Sequence, residues 1–508
     1  MTDPSADMAR GREGAQALIE GLWLIVLVTI PVTSTPVMAR LIGEQQVTPL
    51  AGIPFLLMAI LWFIPYLIRN GRISALGYPL LLFVSFALMS SIQSLFLRIL
   101  PAWGFTLPEQ VIPGLVTLIF GTVVYFIFSH YVRSEVHLRR TLRWLYLGAV
   151  ISLLWSSVQS YHVLRGGNPS RLVQEIHAWI SIRRLHRTRL VGLTYEPSWL
   201  ANQLIVLYIP LWVASVAKRF SVYRIRRGWL TFELVFLLWS LPIFFLTYSR
   251  IGLISLFSSL GLLVLGGAWG MAGRFQARMR IRDENSIWAA FVSNDFFFRI
   301  VIMLSLIVAL GLVMLLVVYL ASKADRRIQQ IFNTNYLALL AEAEAPVVAF
   351  ARRLKFAERI VYWVAAFRVF SLYPWLGVGL GNVGFFFDKT VLPIGYRLPE
   401  IISILGGDLA FPNAKNLWIR LLAETGVIGF MSFVVWLLVL IMAARQLLRK
   451  AEGLLAVIGL AGLLALTAQL FEGFSVDSFA LPQLWIIPGL VTAALSIAAR
   501  GGGSDESG

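Results

Sequence analysis

An all-α polytopic membrane protein is the fold class this sequence predicts, on three observations. Of 508 residues, 58% are hydrophobic and only 14% are charged, a balance too apolar for a soluble domain. Apolar runs of roughly 20 residues recur from one end of the chain to the other, the length a helix needs to cross a bilayer core. These runs are continuous rather than alternating, which argues against a β-barrel and leaves the helix to satisfy each backbone amide within lipid. The 17 Trp and 13% aromatic content suit the interfacial belts that anchor spans.

About twelve spans are expected, since each apolar run is long enough for one. They fall near 17–36, 49–68, 76–97, 111–130, 144–162, 197–217, 229–247, 250–271, 298–321, 426–445, 452–470 and 479–499. Pro31, Pro54, Pro65, Pro79, Pro210 and Pro242 lie inside or near these runs, where membrane helices tolerate them. The chain thus divides into a cytoplasmic N-terminus (1–16), the first nine spans (17–321) with a basic outer loop near 163–196, a large outer loop (322–425), three further spans (426–499) and a polar tail (500–508). Alternate links carry the cations: Arg69 and Arg72, then Arg133, Arg139, Arg140 and Arg143, later Arg445, Arg449 and Lys450. The positive-inside rule therefore predicts both termini on the cytoplasmic side. No cleavable signal is expected, because the polar start runs into the first span without a small-residue cleavage pattern.

The net charge of +17 sits in short links rather than in a basic domain, so a membrane and its phosphates are the expected partners and nucleic acid is not. The chain has no Cys, which excludes disulfides, thiolate chemistry and Cys-ligated metals. Two outer loops break the charge pattern. Residues 163–196 carry Arg165, Arg171, Arg183, Arg184, Arg187 and Arg189, and the long loop carries Arg352, Lys355, Arg359, Arg397, Lys415 and Arg420 among others. A loop of that length is usually functional, and a cationic outer face asks for an anionic partner. Within it, 348–371 reads as an amphipathic helix with Arg352, Lys355 and Arg359 on one face and Leu354, Ala357, Val361 and Val364 on the other. Such a helix either lies on the outer leaflet or holds a lipid diphosphate.

The stretch Gly379 to Gly384 matches GxGxxG, but it follows no expected strand and opens no βαβ unit, so it reads as turning backbone. No HExxH, Walker loop, GxSxG or metal-spaced His pair occurs. What remains is polar residues at the outer ends of spans. Arg189 precedes a span in Arg189-Leu190-Val191-Gly192-Leu193-Thr194-Tyr195-Glu196-Pro197, and Arg250 lies in Thr247-Tyr248-Ser249-Arg250-Ile251-Gly252. An ionisable residue beside the apolar slab is costly and marks a functional position or a headgroup anchor. Glu196 has three readings: a partner for Arg189, a first-turn acid beside Pro197, or a general base.

Four blocks resemble the O-antigen ligase and O-antigen polymerase superfamily. They are Arg189…Glu196-Pro197, Thr247-x-Ser249-Arg250-x-Gly252, Arg359…Trp363…Pro374-x-x-Gly377-x-Gly379, and Asn416-Leu417-Trp418…Glu424-Thr425-Gly426-x-x-Gly429. Their order and the single late outer loop match the family layout, over roughly 180–445. The resemblance implies a GT-C-like membrane glycosyltransferase. It would transfer a glycan from undecaprenyl diphosphate to a sugar hydroxyl on a second lipid-linked glycan, on the periplasmic side of the bacterial inner membrane, with inversion and without metal or cofactor. Chain-length regulators and flippases of the same pathway would be its protein partners. It assigns catalysis to Arg189, Arg250 and Glu196, and binding of the diphosphate or glycan to Arg359, Lys415, Asn416, Arg352 and Lys355. Fixed guanidiniums suit a leaving diphosphate, which they stabilise through paired charge-assisted hydrogen bonds.

One departure matters. Ligases of this family usually carry His-Asn where this chain has Lys415-Asn416. A Lys binds phosphate as a point charge but does not act as a base unless its pKa is strongly lowered. The reading therefore leans to a polymerase for O-antigen, capsule or exopolysaccharide, with the ligase as runner-up. A lipid-linked oligosaccharide flippase would call for charges deep in the spans and for symmetric halves, and neither is visible. A non-catalytic scaffold would need neither Arg189 nor Arg250.

Overall fold

The computed structural model describes residues 4–42, 47–223, 226–227, 229–282, 295–323, 329–330, 332–335, 349, 356–407 and 411–502. These divide into two compact units, Met1–Ser249 with Val361–Gly508, and Arg250–Ile360.

Ten helices among the described residues are long and apolar enough to cross a membrane, so the all-α polytopic class holds. The two other expected spans fall on Pro4–Thr29, and on Phe232–Phe245, which has 14 residues. In the first unit the innermost helices are Pro197–Ala217 and Gly453–Glu472, whose apolar windows are 89% and 78% buried. Both are apolar over most of their circumference, as suits a helix surrounded by others, and their buried polar residues such as Asn202 and Glu472 are hydrogen-bonded. Gln483–Gly501 and Leu107–Tyr131 pack against each other beside them, joined by a hydrogen bond between the hydroxyls of Tyr125 and Thr492 at 3.0 Å. The prolines act locally. Pro65 and Pro210 each follow a five-residue π-helical stretch, Ala59–Phe63 and Leu204–Tyr208, where the ladder widens ahead of the missing N–H. Pro79 sits in the first turn of Tyr78–Ser94, where no N–H is required.

The feature that shapes the functional end is a break in Leu417–Lys450. Gly426 has φ 64° and ψ −174°, which interrupts the helix. The freed backbone groups are satisfied by the glycine-rich segment. The N–H of Val378 donates to the Ala423 carbonyl at 3.0 Å, and that of Gly379 donates to the Glu424 carbonyl at 2.9 Å. On the other side, the N–H of Val427 donates to the Pro374 carbonyl at 2.8 Å. Ser90 adds its hydroxyl to the Glu424 carbonyl at 2.6 Å, and the Ser91 hydroxyl accepts from the Leu380 N–H at 3.2 Å. Unwound backbone inside a membrane protein is stable only when re-paired in this way. A Cβ at Gly426 would lie 2.1 Å from the Trp375 carbonyl oxygen, so the residue is confined by contact as well as by φ. The GxGxxG match is thereby accounted for as turning backbone, with Gly379 at φ 87° and Gly381 at φ 80°.

In the second unit, Arg250–Arg282 and Asp295–Ser322 pack along each other, Gly261 facing Leu310. The Ile300–Leu320 window has mean hydropathy 3.2 and no buried residue, the profile of a helix bathed in lipid.

Candidate functional site

Residues 181–196 form a strap held at several points along its length. Gln159, fully buried in Glu135–Arg165, accepts from the N–H groups of Val191 at 3.3 Å and Gly192 at 3.0 Å and donates to the Gly192 carbonyl at 3.0 Å. The Thr33 hydroxyl accepts from the Tyr195 N–H at 3.1 Å. Arg189 donates through Nε to the Thr247 carbonyl at 2.8 Å, and its neighbour Leu190 donates its N–H to the Leu246 carbonyl at 3.0 Å. Bonding through Nε sets the plane of the guanidinium. The strap therefore docks Arg189 on the Leu246–Thr247 segment, which precedes Arg250 by three residues in the chain.

Glu196 is the N-cap residue of the helix beginning at Pro197. Of its three readings, the pairing with Arg189 is replaced by one with Arg183, whose Nη1 lies 2.9 Å from Oε2. Oε1 accepts from the Ser198 hydroxyl at 2.6 Å, and the Arg183 guanidinium sits 5.0 Å over the Tyr195 ring. The pair is half-exposed, so its carboxylate is held in place and remains open to solvent.

The second cluster is the Lys415 corner. Lys415 has φ 52°, and its N–H is shared between Asn413 Oδ1 at 3.3 Å and Asp477 Oδ2 at 3.1 Å. A non-glycine residue with this backbone marks a position where surrounding contacts outweigh local strain. Its ammonium lies 5.9 Å from the ring centroid of Tyr362, and the Tyr362 hydroxyl donates to Glu400 at 2.8 Å. Asn416 is fully buried and caps the next helix, its Oδ1 accepting from Trp418 at 2.9 Å and Ile419 at 3.3 Å. One turn on, Arg420 Nε pairs with Glu424 Oε2 at 2.9 Å, Arg420 Nη1 donates to the Asp477 carbonyl, and the guanidinium rests on Phe479.

The two clusters share one end of this unit. Asn202 lies six residues into the helix that Glu196 begins, about 9 Å along the axis. It donates to Glu472 Oε2 at 3.1 Å and accepts from Gln483 at 3.1 Å, all three being buried. The loop between Glu472 and Gln483 then supports the Lys415 corner. Its Gly473 carbonyl accepts from the Leu417 N–H at 2.7 Å, and its Asp477 holds Lys415 and Arg420 as above. Cations and carboxylates are thus gathered at one end of the helices, with Glu196 and Lys415 on elements joined through a single loop.

Among the other candidates, Arg250 opens the first helix of the second unit and Arg359 lies in the first turn of Ala357–Leu372. Arg352 and Lys355 lie outside the described residues. Sequence reasoning did not single out Arg183, Asp477, Tyr362, Asn202 or Glu472. Only the i,i+4 spacing of Arg420 and Glu424 carried a signal for its pair.

His177 gives the strap a pH response. It is buried in Arg171–Ile180, lies parallel to Trp155 and accepts from the Trp155 indole N–H at 3.4 Å. Burial pushes its imidazole down to about 4 from 6.5, partly offset by the Arg183 backbone. The unfolded form therefore binds more protons between those two values. The stabilisation is complete above pH 6.5 and is lost as pH falls through that window, by about 3 kcal/mol in all. Hydrogen-exchange protection factors in 171–196, corrected for the intrinsic rate at each pH, are expected to fall from pH 7 to pH 5 in the wild type and to change much less in His177→Gln.

The family model described as O-antigen ligase matches residues 235–434. No curated protein matches the chain closely enough to count as a relative. The matched segment contains the Arg250 and Arg359 blocks, the glycine-rich segment and the whole of the broken helix as far as Phe433 and Val434. That segment, with the Arg189 block preceding it in order, is similar to the O-antigen ligase and polymerase superfamily.

Proposed function

We propose that this protein is a polysaccharide polymerase that joins lipid-diphosphate-linked repeat units, within the glycan-processing activity its family supports. The observation that carries the reading is the gathering of Arg189, Lys415 and Glu196 at one end of the first unit. In the proposed step the acceptor hydroxyl oxygen attacks the anomeric carbon of the donor, and the new C–O bond forms as the bond to diphosphate breaks. The electron pair leaves with the lipid diphosphate, Arg189 and Lys415 receive its charge, and the acceptor proton passes to the Glu196 carboxylate. Arg250 and Arg359 belong to the second unit, and their roles in the proposal come from the family pattern alone. Undecaprenyl diphosphate as carrier, the inner membrane, both termini inside and a periplasmic active face belong to the same proposal.

The ligase reading is favoured by the description of the matching family. It is disfavoured by Lys415, which stands where ligases of the family usually carry His and meets phosphate as a point charge. Purified protein given lipid-linked repeat units, with no nucleotide sugar, should lengthen them into a ladder on a gel. Lys415→His should keep most of that activity, and Lys415→Ala should lower it by about tenfold, one lost charge-assisted contact. Transfer only to lipid A core would establish the ligase instead. No product of either kind would end both readings.

A further inference from the structure

The helix Arg171–Ile180 takes no part in the proposed transfer, yet its ten residues divide into three sectors at roughly 100° per residue. Val173, His177 and Ile180 face the bundle: His177 is buried, the other two are partly covered, and the helix packs beside Pro36–Ile42. Just beyond it the Ile182 N–H donates to the Ser34 carbonyl at 3.3 Å. A second sector holds Leu172, Ile176 and Trp179, which are 67%, 42% and 85% exposed. The third holds Arg171, Gln174, Glu175 and Ala178, with Arg171 and Glu175 paired at 2.8 Å.

A helix with one face on protein needs only a polar opposite face in water. Here an apolar stripe stands between the two, about a quarter-turn from the bundle face. Its height is limited as well, because five residues separate it from the end of the Glu135–Arg165 span, a reach of at most about 18 Å. The surrounding charge is cationic: Arg165, Arg171, Arg183, Arg184 and Arg187 are all exposed, against Glu175 and Glu196. An apolar stripe with a Trp, a polar face and flanking arginines is the pattern of a helix lying in a lipid interface.

We propose that Arg171–Ile180 lies flat in the headgroup layer of the membrane, with Leu172, Ile176 and Trp179 in the acyl boundary and the flanking arginines on anionic lipid phosphate. The occupant of the stripe is bilayer lipid, and the strap that carries Arg189 and Glu196 is held at headgroup level by it. Only that last consequence rests on the proposed function.

The absence of Cys makes a direct test available. Single replacements Leu172→Cys, Ile176→Cys, Gln174→Cys and Ala178→Cys, each in the full chain, are labelled with an environment-sensitive fluorophore. The proteins are reconstituted alone in phosphatidylethanolamine–phosphatidylglycerol vesicles, with iodide equilibrated on both sides. Positions 172 and 176 should emit to the blue, be quenched by a lipid nitroxide placed near the headgroup, and resist iodide several-fold better than 174 and 178. Equal access of iodide to all four positions would overturn the proposal and leave the stripe to a protein partner missing from the vesicles. Quenching of 172 and 176 only by a nitroxide at the bilayer centre would overturn it too, since the helix would then be submerged. Thermal unfolding of each labelled variant separates a local change of environment from misfolding.

Discussion

Replacing Arg189 with Ala is expected to lower glycan transfer by about 10²–10³-fold, the usual cost of removing a fixed donor aimed at developing negative charge. The same side chain supports structure. Its Nε bond to the Thr247 carbonyl is 2.8 Å long, and Thr247 is fully buried, so the Ala variant also loses a buried charge-assisted hydrogen bond, at about 1–3 kcal/mol. Arg189→Gln separates the two effects, because it keeps an N–H for that carbonyl and removes the charge. The proposal expects Gln to restore much of the thermal stability and little of the activity. Arg250→Ala should lose transfer to a similar degree. Initial rates of chain lengthening on defined lipid-linked repeats give the readout, with unfolding measured in the same detergent. Wild-type rates in Arg189→Gln would remove Arg189 from the chemistry, and wild-type rates in both would sink the proposed site.

The largest stability effect is expected at Arg420 and Glu424. Their side chains are 14% and 1% exposed and pair at 2.9 Å beside the helix break. Arg420→Met leaves a carboxylate buried without its partner, which should cost about 3–5 kcal/mol. Replacing both, as Arg420→Met with Glu424→Leu, removes the orphaned charge along with the pair. That double variant should recover most of the loss, although the Arg420 contact with the Asp477 carbonyl is gone. Thermal unfolding of the three proteins in nanodiscs makes the comparison. A single variant within about 0.5 kcal/mol of wild type would mean that water reaches the pair and screens it.

The extent to which these features could be read in advance follows from their range along the chain. Spans are local, and hydrophobicity located them, but not their ends. The first was expected to run to residue 36, yet its helix stops at Thr29, ahead of Pro31, and 33–35 turns extended to bridge Thr48. The tenth was expected from 426, where the apolar run begins. The helix instead starts at Leu417, because Arg420 and Glu424 neutralise each other in its first turns and hydropathy does not register the pairing. The blocks around Arg189, Lys415 and Glu196 were legible as motifs. Their partners were not: Asp477 lies 62 residues from Lys415, and Glu472 lies 270 residues from Asn202. Glu196 fell between the two cases, since Arg183 and Arg189 are both near it in the chain and only folded geometry selects Arg183.

The bonds at the interrupted helix also impose a schedule on biosynthesis. The hydroxyls of Ser90 and Ser91 meet backbone partners 334 and 289 residues further along. Until the ribosome has made those partners, an early membrane segment carries hydroxyls without their final backbone partners, and the nascent protein must shelter them. Chains that terminate before residue 377 would keep them uncovered, a mark by which membrane proteases could recognise unfinished copies.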